Sequence, residues 1–446
     1  MSPLEAHRAR NADPDALARI ESEIADNGVE FIYYQCVTLT GRVIAKVVPA
    51  RHLRRNAQRG ILLHRTAITD LQSTRDGELL GGGASAAEFN ALPDLDTFAV
   101  LPWDRTVARF FCTLYEPEHL PEVGGTEFAG DARGLLARAH RRFTNDTGLE
   151  LRSGCEPEMS WSGPLIEDDT RPGASPAYHL AKLEAMRPVY ASVIRYAQHL
   201  GLDMIEGDYE DAGQLELNWN FDRAELTADR LVTYRLICRQ VAKENGLRAS
   251  FMPKPVTGSM GNGCHHNLSL WRGDVNVMAD PGRREVHLSE IGEHAVAGLL
   301  AHAPASMLVM GQTVNSYKRY WDRGQFAPTA LDWGLDDKTR SIRVPAPGRI
   351  EYKLPDASVN PYLSHLLILE AIRDGLDKRL AIDTSSRASI PTTLGEAIHA
   401  FSEGAMRAAL PTSTAQLLID LKTDEWARFC SSVTDWEHMM YEGALP

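Results

Sequence analysis

Residues 254–271 combine a glycine-rich loop with an alternating strand, and this stretch constrains the fold most. It reads Lys-Pro-Val-Thr-Gly-Ser-Met-Gly-Asn-Gly-Cys-His-His-Asn-Leu-Ser-Leu-Trp. One Pro and three Gly at close spacing favour a loop whose backbone approaches a ligand. Beyond the loop, His265, Asn267 and Ser269 point to one face of a strand and two leucines to the other. Burying a polar strand face in a core costs free energy unless a ligand binds to it. For one such strand alone, a face exposed to solvent is an equally good explanation.

Three other predicted strands show the same alternation of polar and apolar residues. They cover residues 155–161, 213–221 and 349–354. If they join the first strand in one sheet, their polar faces converge on a pocket, whereas four separate amphipathic strands would simply face solvent. The polar faces carry Glu156, Glu158, Gln214, Glu216, Asn218, His265, Asn267, Ser269, Arg349, Glu351 and Lys353.

Five of these side chains, Glu156, Glu158, Glu216, His265 and Glu351, are typical ligands of a divalent cation. Carboxylates that are brought together raise one another's pKa values unless cations lie between them. Carboxylate oxygens with one imidazole suit Mg²⁺ or Mn²⁺, above all where phosphate oxygens complete the coordination. The pattern therefore predicts a multi-metal cavity for phosphoryl transfer.

Charge and motif content argue against several other classes of protein. The 446 residues carry 47 Lys and Arg against 60 Asp and Glu, a net charge of −13, which disfavours a nucleic-acid partner but allows a nucleotide. No apolar run reaches the roughly 20 residues of a membrane helix, and the start lacks the apolar core of a signal peptide. The six Cys form no Cys-x-x-Cys pair, so neither a zinc site nor a disulfide framework is indicated. We expect a cytoplasmic protein without membrane partners.

The order of predicted elements indicates an α+β protein of two domains. Residues 50–93 carry frequent turn signals and predict a loop-rich segment, whereas the tail from Leu363 onward is predicted to be mainly helical. We place the boundary at residue 106, which gives a small domain, 1–106, and a large domain, 107–446. The predicted strands are a hairpin over 29–48, strands over 97–102, 107–115 and 149–161, and further strands between Gly201 and Phe221. The predicted helices cover 131–146, 188–200 and 227–245.

Six motifs occur in order along most of the chain. They are Glu156-Pro-Glu158, Gly213-Gln-x-Glu216, the Lys254-Pro loop with Gly261-Asn-Gly-Cys-His265, Asn315-Ser-Tyr-Lys-Arg319, Arg340-Ser-Ile-Arg343, and Arg349-Ile-Glu351 followed by Pro355-Asp356 and Asn360-Pro-Tyr362. Together with the N-terminal hairpin and Leu101-Pro-Trp103, they resemble the glutamine synthetase family. A single block such as Glu-Pro-Glu is weak, but six in order are highly specific.

The resemblance implies a fold, ligands and an assembly. The fold would pair a small N-terminal β-grasp-like domain with a large C-terminal catalytic domain, an antiparallel sheet flanked by helices. The ligands would be ATP, two or three Mg²⁺ or Mn²⁺ ions per active site, glutamate and an amine. The family forms homo-oligomers, commonly dodecamers of two stacked hexameric rings, in which a neighbour's small domain closes each site. The hairpin 29–48 and the loop 62–70 would make that contact.

The resemblance also implies individual roles. Glu158 and Glu216 would bind one metal with either Asp208, which is favoured, or Glu210. Glu156, His265 and Glu351 would bind the phosphate-side metal. Arg319, with Gly261 and Lys353, would bind the amino acid, Arg343 and Arg349 the phosphates, Phe221 and Ser269 the nucleotide, and Tyr178 and Phe326 the amine. The implied catalytic residues are Arg319, Arg343 and Asp208.

The implied activity is ATP-dependent activation of a carboxylate as an acyl phosphate that an amine then attacks. Phosphoryl transfer requires positioning and positive charge, which metals and arginines supply. Because no covalent nucleophile is needed from the protein, Cys264 is predicted to pack rather than to react.

The chain departs from the ammonia-using members at the amine side. Those members carry Gly-x-Glu-Ala-Pro in a flap, whereas residues 324–328 read Gly-Gln-Phe-Ala-Pro and place Phe326 at the Glu position, next to Gln325. Residues 62–66 lack the family's Asp-Gly-Ser-Ser block and place His64 there. Three further replacements, of two arginines and an asparagine, are Lys338, Lys353 and Met260.

These departures favour a ligase that joins the γ-carboxyl group of glutamate to an alkyl, aryl or polyamine rather than to ammonia. The alternatives are an ordinary glutamine synthetase with an unusual flap and a catalytically silent structural or regulatory member. The silent member is disfavoured because every metal-ligand position is still acidic or His.

Overall fold

The computed structural model describes residues 1–166, 175–321, 326–383 and 389–444. Its helices and strands form an α+β arrangement with two sheets, as predicted. Within these ranges, no helix combines the length and apolar character needed to cross a membrane.

Sixteen strands are described. The first sheet contains β1 (Phe31–Val37), β2 (Val43–Pro49), β3 (Ile61–His64), β4 (Glu88–Pro93), β5 (Ala99–Leu101) and β6 (Asp104–Tyr115). The second sheet contains β7 (Glu150–Ser162), β8 (Met204–Asp211), β9 (Gln214–Trp219), β10 (Asp222–Arg223), β11 (Arg248–Ser250), β12 (Cys264–Arg272), β13 (Val275–Asn276), β14 (Trp333–Leu335), β15 (Ile342–Ala346) and β16 (Arg349–Tyr352).

Thirteen α-helices are described. They are α1 (Pro3–Arg10), α2 (Pro14–Asn27), α3 (Leu53–Arg59), α4 (Ala132–Thr147), α5 (Leu180–Ala185), α6 (Arg187–His199), α7 (Ala224–Glu244), α8 (Glu290–Met310), α9 (Val314–Lys318), α10 (Pro361–Asp377), α11 (Leu394–Glu403), α12 (Thr412–Cys430) and α13 (Asp435–Tyr441). The helices predicted over 131–146, 188–200 and 227–245 and the mainly helical tail from Leu363 are therefore confirmed.

The first sheet is mixed, with strand order β2-β1-β6-β4-β3 and β5 paired with β6. The predicted hairpin is confirmed as β1 and β2, antiparallel from Phe31 opposite Pro49 to Val37 opposite Val43. The prediction of a loop-rich segment over 50–93 is confirmed for residues 70–87, which contain no helix or strand, and is wrong for the parts that form α3, β3 and β4. The predicted boundary at residue 106 falls inside β6, which pairs with β1 and β4, so the first sheet extends through Tyr115.

The second sheet has the strand order β14-β15-β16-β12-β7-β9-β8, with β10, β11 and β13 paired at its sides. All its described pairings are antiparallel except that of β14 with β15. The four strands with alternating polar residues, β16, β12, β7 and β9, are consecutive neighbours. The prediction that they share one sheet is confirmed.

The apolar faces of these strands form a hydrophobic core beneath the polar face. Met159 of β7 and Leu215 and Leu217 of β9 alternate with the acidic residues and are almost fully buried. They belong to one cluster with apolar residues of α6 and α7. Cys264 is completely buried in the same cluster, in agreement with its predicted packing role. Burying one face of the sheet directs the alternate, polar side chains to the other face.

Helices α8 and α10 approach each other closely at two glycines. A Cβ atom on Gly298 would lie 2.2 Å from the carbonyl oxygen of Ala371, and one on Gly375 would lie 2.2 Å from that of His294. Only glycine permits this spacing at both positions. The helix pair thus forms a tight layer within the main core of the molecule.

Candidate active site

The polar faces of the neighbouring strands meet in one row across the second sheet. Adjacent strands lie about 5 Å apart, so side chains opposite each other in the register can share a ligand. The opposed pairs are Arg343–Glu351, Glu351–Asn267, His265–Glu156, Glu158–Glu216 and Glu216–Asp208.

Glu156, His265 and Glu351 form a compact group whose ligand atoms all lie within 4.8 Å of one another. His265 Nδ1 is 3.1 Å from Glu351 Oε1 and 3.6 Å from Glu156 Oε2. Burial alone would raise the pKa of Glu351, but the hydrogen bond and charge of His265, together with the charges of Lys353 and Arg343, outweigh burial and hold that pKa at about 2. Arg343 Nη1 donates to Glu351 Oε2 at 2.9 Å. Two carboxylates and an imidazole at this spacing are a suitable donor set for a divalent cation.

Five more carboxylates line the other side of the cavity: Glu158, Glu206, Asp208, Glu210 and Glu216. Burial, with the charges of Glu156 and Glu158, raises the pKa of Glu216 well above its usual range. Burial and the charge of Asp208 raise the pKa of Glu210 to about 7. Burial also raises the pKa of Asp208, whose Oδ1 atom is buried without a hydrogen-bond partner in the described chain. Such an excess of buried carboxylates is unfavourable unless cations balance it.

Arg319 and Lys353 supply positive charge beside these carboxylates. Arg319 is 4% exposed, and its Nη2 donates to His265 Nε2 at 3.2 Å and to the carbonyl oxygen of Lys353 at 3.3 Å. The buried Lys353 Nζ donates to the carbonyl oxygen of Phe326 at 3.0 Å. Burial lowers the pKa of Lys353. Both cations can bind the carboxylate or phosphate oxygens of a ligand.

The loop before β12 approaches the site through Gly261. A Cβ atom there would lie 2.9 Å from Cγ of Arg319 and 2.8 Å from the carbonyl oxygen of Pro253. A larger residue would therefore displace the loop or the guanidinium group. The loop and Arg319 form one side of the site together.

The predicted nucleotide residues line an adjoining cavity of about 280 Å³. Phe221 is 47% exposed and stacks on Trp271, with ring centroids 5.8 Å apart. Trp271 Nε1 donates to Ser269 Oγ at 2.9 Å, and Arg349 lines both this cavity and the acidic one. The exposed aromatic rings can stack on a nucleotide base. Arg349, which borders the carboxylates, can bind the phosphates at the other end of the nucleotide.

The predicted amine-side residues Phe326 and Tyr178 also face the acidic cavity. Their exposed fractions are 55% and 63%. The Lys338 ammonium lies 5.9 Å from the centre of the Phe326 ring. Gln325 lies outside the described residues. His64 lies in β3, where its Nδ1 is 2.7 Å from Thr66 Oγ1, and it does not line this cavity.

The acidic cavity has a volume of about 360 Å³ and collects most of the predicted site residues. Of the sequence candidates it is lined by Glu156, Glu158, Tyr178, Asp208, Glu210, Glu216, Met260, Gly261, His265, Arg319, Phe326, Lys338, Arg343, Arg349, Glu351 and Lys353. Sequence reasoning missed Glu206, which lines both cavities. Glu206 lies two residues before Asp208, a spacing that would have placed it on the same strand face.

A family model agrees with this geometry. Residues 129–441 match the model described as glutamine synthetase, catalytic domain. The matched range includes every element of the second sheet.

Whole-chain comparisons agree as well. The chain is 32% identical to a glutamine synthetase of Rhizobium meliloti (strain 1021), over 93% of this chain and 96% of that protein. The structure resembles GmaS, a gamma-glutamylmethylamide synthetase, without ligand, at a TM-score of 0.83 and 29% identity over 94% of this chain and 98% of that one. For GmaS in complex with ADP the TM-score is 0.85, at 29% identity over 95% and 99% of the two chains.

Proposed function

The chain belongs to the glutamine synthetase family, and on this premise we propose that it joins the γ-carboxyl group of L-glutamate to an amine other than ammonia. Family membership makes it an ATP-dependent carbon–nitrogen ligase. One observation carries the choice of amine: the exposed Phe326 ring faces the acidic cavity at the flap position. A phenyl ring offers neither an oxygen ligand nor a base for ammonium, but it can cover an alkyl or aryl group, at about 0.8 kcal/mol per buried CH₂.

The proposed reaction has two steps. A γ-carboxylate oxygen of glutamate attacks the γ-phosphorus of ATP, the bond to the bridging oxygen breaks, and ADP leaves. The amine nitrogen then attacks the acyl carbon, phosphate leaves with the electrons of its C–O bond, and the nitrogen loses a proton. Arg319 would hold the amino-acid carboxylate, and Arg343 and Arg349 the phosphate oxygens, because guanidinium groups match both geometries.

The donor sets fit divalent cations, which the family uses. Glu156, His265 and Glu351 would hold an ion on the phosphate side. Glu158 and Glu216 would hold another with Asp208 or Glu210, and the cavity accommodates either choice because both carboxylates line it. Mg²⁺ or Mn²⁺, two or three per site, would supply charge neutralisation and orientation of the phosphates.

Proton removal from the amine falls to the carboxylates near the flap. Glu210 lines the cavity with Phe326, and its carboxylate is suited to accept a proton there if Asp208 is the residue that binds the metal. Tyr178 and Lys338 border the same space. The nucleotide would lie along Phe221 and Ser269, and a GmaS structure in complex with ADP supports this use of the fold.

Glutamine synthesis from ammonia is the second candidate. The relative from Rhizobium meliloti is named a glutamine synthetase. In addition, Glu206, Asp208 and Glu210 line the cavity and can surround a small cation such as ammonium.

A panel of amines separates the two candidates. ADP release would be measured with saturating ATP, Mg²⁺ or Mn²⁺ and glutamate, against ammonia, methylamine, longer alkylamines, benzylamine and a polyamine. We expect kcat/KM for the best amine with a hydrophobic group to exceed that for ammonia at least about tenfold, or about 1.4 kcal/mol. If ammonia is used as efficiently as every amine in the panel, the ordinary synthetase takes the place of this proposal.

Members of this family are oligomeric, and we propose two stacked hexameric rings for this chain. His64 does not reach the cavity of its own chain, so a neighbour's loop 62–70 is available to cover that side. A heterologous interface that repeats around a ring closes such an assembly. A fully active monomer in light scattering at assay concentration would contradict it. The cytoplasmic location stays a prediction from the sequence.

A further inference from the structure

A second cavity opens between the N-terminal hairpin and the rest of the molecule. It has a volume of about 760 Å³ and shares no residue with the acidic cavity. Its walls are the β1–β2 turn, α7, residues 249–253, the start of α9 and α12. Neither step of the proposed reaction uses it.

The charged side chains of this cavity are mainly basic, four against two acidic, although the chain as a whole is acidic. Its acidic residues already have partners. Asp70 accepts a hydrogen bond from the Thr40 hydroxyl at 2.5 Å, and Glu425 accepts from the Val314 amide at 3.1 Å and from Lys422 at 3.0 Å. The remaining charged residues of the lining are Arg42, Arg235 and Arg239. Within the described ranges, none of these three arginines forms an ion pair with a carboxylate.

Arg235 is the buried anchor of this group. It is 8% exposed, and its Nη2 donates to the carbonyl oxygens of Ala357 and Val359, each at 2.8 Å. Its Nε atom is buried without a hydrogen-bond partner in the part of the chain that the structure describes. Arg239 lies one turn along α7, so two like charges face the same space, which is unfavourable without an anion.

We propose that this cavity binds a small organic polyanion, a molecule carrying two or more carboxylate or phosphate groups. Guanidinium groups bind both kinds of anion through paired N–H donors. Arg42 and Arg239 are exposed in the single chain and line the cavity, whereas Arg235 offers its unpaired Nε inside; Arg42 belongs to the hairpin that is predicted to contact a neighbouring subunit. The cavity therefore offers positive charge to a ligand both at its entrance and in its interior.

The cavity shares a wall with the loop that carries Gly261. Asn315 lines the cavity, and its side chain accepts from the amide of Lys254 at 2.7 Å and donates to the carbonyl oxygen of Lys254 at 3.0 Å. Pro253 also lines it, and its carbonyl oxygen accepts from the amide of Asn262 at 2.7 Å. A ligand that immobilises this wall restrains the loop from behind, without entering the acidic cavity.

Calorimetric titration of the intact enzyme tests the site. Citrate and pyrophosphate are the two probes, in metal-free buffer because both chelate Mg²⁺. Each titration is repeated in an Arg343→Gln/Arg349→Gln variant, which lacks phosphate-binding arginines of the acidic cavity, so that binding retained there belongs to the second cavity. We expect saturable binding of at least one probe, and a Kd at least about tenfold higher in an Arg42→Gln/Arg239→Gln double variant, as for loss of two charge-assisted contacts. Arg235 is left intact because it also holds two backbone carbonyl groups. Arg51→Gln, an exposed arginine outside the cavity, is the matched control and should bind as the wild type does.

The outcomes distinguish polycarboxylate ligands from phosphorylated ones. They also test the binding site and its link to the loop separately. Binding of citrate alone identifies polycarboxylates, and binding of pyrophosphate alone identifies phosphorylated ligands. If neither probe binds saturably, or the Arg42→Gln/Arg239→Gln variant binds as tightly as the wild type, the site is overturned. Hydrogen exchange of the 254–264 amides should slow at least threefold with bound probe, and unchanged exchange would overturn the link to the loop. Neither readout depends on which amine the enzyme uses.

Discussion

Glu158 lies directly opposite Glu216 in the antiparallel register of β7 and β9. Glu216 in turn lies opposite Asp208 of β8, so three carboxylates occupy one row across three strands. Like charges that face each other across a sheet destabilise it. Without a cation, this part of the sheet is therefore less stable than its hydrogen bonds alone would make it.

Replacing Glu216 with glutamine should stabilise the metal-free protein. In the presence of a chelator we expect Glu216→Gln to raise the free energy of unfolding by about 1 kcal/mol, because it removes one of three facing charges and can still accept the hydrogen bond from Asn218. The same variant should lose most of the rise in Tm that Mg²⁺ or Mn²⁺ causes in the wild type. Differential scanning fluorimetry measures both, with the exposed Glu403→Gln as control. A variant that is less stable than the wild type in chelator would contradict the argument.

Truncating Glu351 should abolish catalysis without unfolding the protein. Glu351→Ala removes a carboxylate from the group with His265 and Glu156, and losing a phosphate-side ion should slow ADP formation by about 10³-fold, or about 4 kcal/mol. Circular dichroism checks the fold, and Glu403→Ala should retain full activity. Undiminished turnover of Glu351→Ala, or of the wild type in excess chelator, would disprove the metal assignment.

Introducing a carboxylate at the flap should move substrate preference toward ammonia. Phe326→Glu supplies an oxygen ligand and removes apolar cover, so we expect kcat/KM for ammonia relative to the best amine to rise at least about tenfold. Phe326→Leu keeps the apolar cover and should leave the ratio within about threefold. Identical ratios in all three enzymes would show that Phe326 does not select the amine.

Acid should destabilise the protein through His365. Burial lowers the pKa of this histidine from 6.5 to about 4, so below pH 6.5 the unfolded chain binds a proton that the folded chain does not. The contribution of His365 to the free energy of unfolding is fully present above pH 6.5. It falls by up to about 3 kcal/mol as the pH drops toward 4. Tm measured from pH 7.5 to pH 4.5 should fall less steeply in His365→Gln, which is less stable at pH 7.5 because the hydrogen bonds of the ring to Ser153 and Pro361 are altered. Parallel pH curves would refute this assignment.

The ion pairs of Arg133 should be costly to break. Arg133 on α4 contacts Asp94, which follows β4 of the first sheet, and Asp229 on α7. Arg133→Met removes the arginine partner of two poorly solvated carboxylates, leaving Asp94 with His7 and Thr113 and Asp229 with the Tyr362 hydroxyl, and should cost about 3 kcal/mol. The more exposed Arg142, 3.7 Å from Glu370, is the matched control, and Arg142→Met should cost less than about 1 kcal/mol. Chemical denaturation at one protein concentration compares them, and equal losses would rule out the buried-pair explanation.

Strand alternation made much of the site predictable. A period of two assigns every second residue to one face, so Glu156, Glu158 and Glu216 could be placed on polar faces from local sequence alone. The order of the strands could not be read in the same way, because pairing partners such as Glu150 and Trp271 lie up to 121 residues apart and no local signal identifies them.

The errors have local physical causes. Helix α3 is short and strongly basic, and its apolar face consists of Leu53 and Ala57 alone, too few residues to mark a helix. Strand β3 depends on its pairing with β4, and β4 on its pairing with β6. Glu206 was missed for another reason: ordinary alternation places it on the face of Asp208 and Glu210, but the family resemblance directed attention to those two residues alone.

Side chains in β7 alternate between the two faces of the sheet, so Glu158 points to the cavity and Met159 into the core. The number of residues in the strand therefore determines both the lining of the cavity and the packing of the core. Deleting a single residue within β7 would exchange the faces of everything beyond it, burying carboxylates and exposing the core at once. In the connections between strands, an insertion of several residues adds only loop entropy. An engineer who wishes to change what this protein accepts should therefore alter the lengths of loops and leave the lengths of the strands untouched.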